Sequence, residues 1–500
     1  MRKTMKRLSA FLACIIIGLS SSMVASAETG YTYNFDFWGD VQYSPDAYTV
    51  SEVITAVDMG LTDKLSNPSS LFVLDNRVWI CDTNNNRVIE LERDEEGKFH
   101  QNRVITEIKG NVDVKTFSTP TDIAVTEDGY LFICDKNNNR ILKVDEDLNY
   151  VMSFIKPTDT NFDQEASFLP DKLCVDTAGR VFCVATNVNK GVIKYEPDGE
   201  FAGFVGATEV TYEFSDWLWK KLSTKEQRAQ MEAFVPTEYE NLYMDYEGFI
   251  YACTSNVSPA DLDSGAADAI RRLNMMGSDI LIRNGNWPVL GDIHWDEGGG
   301  YEGPSKITDI TVMDNDIYFA LDKNRGRVFA YDDQGNLVYA FGGPGNQDGY
   351  FRKPSSIEHM GHDLLVLDSL DNSITVFRPT EFGNLVFQAV EQFQDGKYAE
   401  SGDTWQEVIR LNGNYDLAYI GVGRALLRQE RYGEAMEYFE LKYDEDNYSK
   451  AYKQYRKEWV EDNIVMVLIV LFAVIIVPLG IGKLKKIKHE IDTDEFFKTE

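Results

Sequence analysis

Five hundred residues with 43% hydrophobic and 12% aromatic content exceed one average domain and can fill a sizeable core, which excludes an intrinsically disordered chain. A formal net charge of −32 disfavours nucleic acid and other polyanions as partners. Cations or basic partners fit it, although a solvated acidic exterior is the simpler account.

The chain opens with a basic segment (Arg2, Lys3, Lys6, Arg7), an apolar run from Leu8 to Leu19, and small residues ending Ala25-Ser26-Ala27. That order predicts a signal peptide over residues 1–27. Cys14 lies inside the apolar run rather than after it, a poor match to a lipidation site. The aromatic segment Tyr31 to Tyr48 follows. It is expected to give an outer strand to the last unit of the repeat array described next, with Val53 to Ala56 starting or completing the first.

Two stretches carry the clearest internal repeat. Pro68-SSLFVLDNRVWICDTNNNRVIELERD and Pro120-TDIAVTEDGYLFICDKNNNRILKVDED share a proline, two apolar strands ending Ile-Cys-Asp, a polar turn closing on Asn-Asn-Arg, and a third strand. Weaker copies start at Pro170, Pro236, Pro304 and Pro354. Each copy predicts one small antiparallel sheet. Such a sheet cannot cover both its faces, whereas six set radially bury each face against a neighbour. Asp82 with Arg87, Asp135 with Arg140, Asp322 with Arg327, and Asp368 recur at equivalent places. An aspartate there can accept bonds from turn amides and from a guanidinium, so these are structural turn residues before anything else.

Residues 213–235 interrupt the strand rhythm with helical spacing, and a Gly-rich segment runs from Asn284 to Glu302. The first is expected to stand on one face of the array, as a ligand surface or as a lid over exposed core, and Trp217, Trp219, Trp287 and Trp295 of the two insertions are candidate ligand platforms. From about Phe382 the period becomes helical. Tyr398 and Tyr432, Ala389 and Gly423, Ser401 and Ala435, and Trp405 and Phe439 each stand 34 residues apart, the spacing of paired-helix repeats. Ile464 to Gly482 is uncharged and long enough to span a bilayer, and Lys483, Lys485, Lys486 and Lys488 follow it. The expected topology is single-pass in the cell membrane, N-terminal part outside and C-terminus cytoplasmic.

Five cysteines follow the leader, Cys81, Cys134, Cys174, Cys183 and Cys253. Each sits in an apolar strand-like run and reads as a buried small hydrophobe, with Cys174 and Cys183 the one pair worth testing as a disulfide. His359 and His362 are expected to be solvent-facing loop histidines. No nucleophile elbow or phosphate loop in a strand–helix context is present.

The D-x-x-N-N-R turn after a strand, with proline opening each unit, resembles the NHL-repeat family of six-bladed β-propellers over about residues 50–380. The complete layout is similar to membrane-anchored bacterial members with tetratricopeptide-like C-terminal helices. The fold class expected is therefore mainly β, a six-bladed propeller followed by a small helical region and one transmembrane helix. The domains are 1–27 signal peptide, 28–380 propeller, 381–461 helical region, 462–482 membrane helix and 483–500 tail. Residues and resemblance together favour a binding or scaffold protein over an enzyme, presenting the propeller to an extracellular glycan, peptide or protein in the cell envelope. The alternative is a metal-dependent lactonase or lyase with its site in the channel, since some propellers resembling this architecture hold a central metal. No cofactor is expected, calcium being the one ion that carboxylates near the channel could hold.

Overall fold

Alternating short apolar strands and Gly/Asn/Asp turns lead, in the computed structural model, to six antiparallel sheets. The structure describes residues 32–159, 162, 164–165, 167–186, 188, 190–206, 239–254, 257, 259–263, 267–294 and 303–497. The predicted signal peptide and the 213–235 insertion, with Trp217 and Trp219, lie outside the described residues, as does Trp295. The chain divides into two units, 1–384 and 385–500.

The first unit begins with β1 (Thr32–Phe35), β2 (Val41–Ser44) and β3 (Tyr48–Ile54). Blade one then comprises β4 (Ser70–Leu74), β5 (Arg77–Asp82), β6 (Arg87–Arg93) and β7 (Phe99–Ile105). Blade two is β8 (Pro120–Val125), β9 (Leu131–Asp135), β10 (Arg140–Val144) and β11 (Tyr150–Ile155). Blade three is β12 (Leu169–Val175), β13 (Val181–Thr186), β14 (Val192–Tyr195) and β15 (Phe201–Val205). Blade four has three described strands, β16 (Asn241–Met244), β17 (Ile250–Cys253) and β18 (Ile270–Leu273), with the short helix α1 (Pro259–Asp263) before the last. Blade five is β19 (Ile307–Val312), β20 (Tyr318–Asp322), β21 (Arg327–Tyr331) and β22 (Leu337–Gly342). Blade six is β23 (Pro354–Met360), β24 (Asp363–Asp368) and β25 (Ser373–Pro379).

The first strands of the blades neighbour one another in a closed circuit, β4 to β8 to β12 to β16 to β19 to β23 and back to β4. This is a six-bladed propeller, with its core between blades. Val78, Ile80 and Leu91 meet Leu365, Leu367 and Ile374 between blades one and six. Phe132, Phe154, Phe168 and Tyr195 fill the space between blades two and three. Strands covered on both faces read as continuous apolar runs for this reason.

Ring closure departs from the expectation. The strand that completes blade six is β3, whose Val53 lies opposite Thr375. Val53 and its neighbours therefore finish the last blade and not the first. The aromatic stretch before it forms the hairpin β1–β2, added to the outer edge of blade five with Tyr33 opposite Ala340. Tyr33 is buried with Phe329, Tyr331 and Ala340, so the aromatic residues are spent one blade earlier than the sequence suggested.

The second unit is helical. Helix α2 (Glu381–Gln394) runs across the boundary, followed by α3 (Tyr398–Leu411), α4 (Asp416–Arg428), α5 (Tyr432–Leu441), α6 (Glu445–Asp462) and α7 (Ile464–Phe497). Tyr398 and Tyr432, 34 residues apart in the sequence, open α3 and α5. A Cβ on Gly421 would stand 2.5 Å from the Trp405 ring, and one on Gly423 2.6 Å from Phe439. The absent side chains let these helices approach closely. Within Ile464–Thr493 of α7 the most apolar 18-residue window has a mean hydropathy of 3.3, and none of it is buried. This helix is long and apolar enough to cross a membrane.

Candidate functional site

The repeat aspartates sit at the ends of second strands and organise turns. Asp82 Oδ1 accepts from the Ser66 N–H at 2.7 Å, and its Oδ2 accepts from Arg87 Nε at 2.7 Å and Asn85 Nδ2 at 2.9 Å. Asp135 does the same with Ser118, Arg140 and Asn138 at 2.7, 2.8 and 2.8 Å. Both turns close on an asparagine in the left-handed region, Asn86 at φ 53° and Asn139 at φ 57°, a conformation asparagine tolerates. Asp368 has no arginine and is held by the amides of Arg352, Lys353, Leu370 and Asp371. In blade five the pairing is rearranged. Arg327 Nη1 donates to Asp292 at 2.8 Å and to Tyr33 Oη at 2.9 Å, and Arg325 takes the place beside Asp322 at 3.5 Å. Asp292, from the segment before β19, supplies the carboxylate that Arg327 takes instead of Asp322, and Tyr33 of the added hairpin supplies a second acceptor.

Trp287 is half-buried. Its indole N–H donates to Asp36 O at 2.9 Å, and a Cβ on Gly39 would fall 2.8 Å from its ring. It clamps the turn of the β1–β2 hairpin, and His294 Nε2 reaches Gly39 O beside it at 2.6 Å.

The sequence reading missed a polar ring on the inner strands. Ser70 Oγ of blade one donates to Asp122 Oδ1 of blade two, whose Oδ2 accepts the Leu173 N–H of blade three at 2.7 Å. Lys172, one residue earlier, places its Nζ 3.9 Å from Asp122 Oδ1 and donates to Ser69 O at 3.3 Å. On the other side, Asn241 Nδ2 of blade four donates to Asp309 Oδ1 of blade five. Asp309 Oδ2 accepts from Ser356 Oγ at 2.7 Å and from the Ile357 N–H at 2.8 Å, both of blade six. The Leu71 N–H donates to Ser356 Oγ at 3.1 Å and returns the network to blade one. Next to this ring, Thr311 Oγ1 lies 2.7 Å from His359 Nδ1 and 3.3 Å from Glu358 Oε2.

Burial sets the electrostatics here. It pushes Asp309 up to about 6, against the pull of the Lys172 ammonium and the bonds it accepts. It also raises Asp122, and drives Glu358 well above the usual carboxylate range with help from the nearby Asp309 charge. Burial alone would lower Lys172, but the Asp122 and Asp309 carboxylates outweigh it and hold the ammonium above its ordinary value. His359 falls to about 4 because its ring is desolvated. It sits on β23 against Thr311, a different place from the solvent-facing loop expected of it, because the strand runs on to Met360 before turning.

A channel metal fits these residues poorly. Both oxygens of Asp122 and of Asp309 already accept bonds from the chain, and a lysine ammonium stands where positive charge is needed. Among the described residues, no three of His, Cys, Asp and Glu converge as a metal site. The five cysteines are free and buried. Cys174 and Cys183 belong to different inter-blade cores, because Cys174 faces Phe182 across the ladder and Cys183 faces Leu173. They form no bridge.

No family model and no curated protein matches the chain. Solved structures do resemble it. Virginiamycin B lyase from Staphylococcus aureus, in a catalytically inactive form with quinupristin, is 13% identical, with a TM-score of 0.39 over 66% of this chain and 85% of the other. Hydrazine synthase from Kuenenia stuttgartiensis is 11% identical, TM-score 0.36, over 64% and 97%. The extracellular domain of a hybrid two-component system from Bacteroides thetaiotaomicron is 13% identical, TM-score 0.36, over 68% and 43%. These similarities are too distant to carry an activity over.

Proposed function

We propose that this chain is a cell-surface binding or scaffold protein of NHL-propeller type, tethered by α7, with its propeller outside the cell and its C-terminus in the cytoplasm. The observation that carries the reading is the union, in one chain, of a propeller whose inner polar groups bond chiefly one another with an unburied apolar helix of membrane-spanning length. Among the described residues, Asp122 and Asp309 are engaged in this way, which favours the binder over the lactonase or lyase alternative. Function then falls to the loops and outer edges, where a glycan, peptide or protein partner would meet aromatic side chains. The tetratricopeptide-like helices supply a spacer or a second docking unit.

The test is a glycan and peptide array probed with the full chain in nanodiscs, followed by W217A, W219A, W287A and W295A. Binding that falls at least tenfold in one of the variants supports the reading. W287A is judged together with its melting temperature, because that ring also holds the β1–β2 hairpin. Lactone or cyclic-depsipeptide cleavage that requires added divalent metal would replace the binder with the enzyme.

A further inference from the structure

We infer that Lys172 is the resident cation of the propeller's inner ring, an ammonium supplied by the chain in place of a divalent ion. The inference stands whatever the propeller binds outside the ring. Three inner strands from different blades bring the groups together: Asp122 on β8, Lys172 on β12 and Asp309 on β19. Asp122 and Asp309 are buried, and the Lys172 side chain is only 12% exposed. Two carboxylates in such a place need positive charge close by or must stay protonated. The Lys172 Nζ provides that charge 3.9 Å from Asp122 Oδ1, while its bond to Ser69 O fixes the side chain across the blade one boundary.

Hydrogen bonding supports the same conclusion. Asp122 accepts from Ser70 Oγ and the Leu173 amide, and Asp309 from Asn241 Nδ2, Ser356 Oγ and the Ile310 and Ile357 amides. A metal would have to break these bonds and displace the ammonium to gain the six to eight oxygens calcium prefers. The lysine is thus both structural and exclusionary: it offsets part of the ring's negative charge and denies the ring to divalent ions.

Two measurements on the full chain in detergent test this. Isothermal titration with calcium chloride and with zinc chloride is expected to show no stoichiometric site that D122N removes. In K172M the buried carboxylates lose their counter-charge, and the melting temperature should fall by about 5 °C or more. The double variant K172M/D122N should then be more stable than K172M, because an asparagine at 122 can accept from the Leu173 amide and donate to Ser70 Oγ without a charge. The inference is overturned if the wild-type chain binds one equivalent of either ion through a site lost in D122N. It is also overturned if K172M melts with the wild type, or if the double variant is no more stable than K172M. Should K172M not fold, the wild-type titration decides alone.

Discussion

Asp82 and Asp135 each hold an arginine and an asparagine through one oxygen and a backbone amide through the other, at side chains with no solvent exposure. Removing such a carboxylate leaves a buried guanidinium unpaired, so D82A or D135A should each cost about 3–5 kcal/mol in chemical denaturation. D368A, whose partners are amides alone, should cost less, about 1–3 kcal/mol. The inner ring gives a pH signature. Asp309 rises from 3.8 to about 6 on folding, so its proton is held by the folded state between those values. Its contribution to stability is full below about 4 and is lost as pH rises through 6. His359 falls from 6.5 to about 4, so its contribution is full above 6.5 and is lost as pH falls toward 4. The two oppose each other across pH 4–6.5. In scanning fluorimetry H359Q should therefore gain melting temperature, relative to wild type, on going from about pH 7 to about pH 5, and D309N should lose it. The turn residues were readable because their spacing repeats. Four members of the ring were also written in the sequence, as the polar residue two places after the blade proline in Ser70, Asp122, Lys172 and Ser356, whereas Asn241 and Asp309 stand five places after Pro236 and Pro304. The ring went unread because different side chains occupy these positions, and only closure of the circuit shows them as partners.

At the scale of elements, the periodic strands were legible and the closure was not. The repeat pattern is local, whereas β3 finds β25 at the far end of the propeller sequence, and nothing in Tyr48–Ile54 distinguishes a sixth-blade strand from a first-blade one. The register places Val53 opposite Thr375, so V53C/T375C should oxidise to a bridge seen as a gel shift, while V53C paired with V104C on the outer strand of blade one should stay reduced. The helical unit was legible through small residues at fixed offsets. Gly423 faces Phe439 with no space for a Cβ, so G423L should destabilise the packing of α4 on α5 by about 1–3 kcal/mol, read as a helical transition below that of the wild type in thermal denaturation.

For the whole molecule, the account rests on a propeller displayed outside the cell and an α7 that crosses the membrane with its lysine-rich end inside. The described cysteines are all buried, so single introduced cysteines can report sidedness against a quiet background. Val57 is 83% exposed on the propeller, and Lys488 is exposed beyond the apolar stretch of α7. The decisive measurement is labelling of V57C and K488C in intact cells with a membrane-impermeant maleimide. The account expects V57C to label before lysis and K488C only after it; labelling of K488C in intact cells, or protection of V57C until lysis, would contradict it.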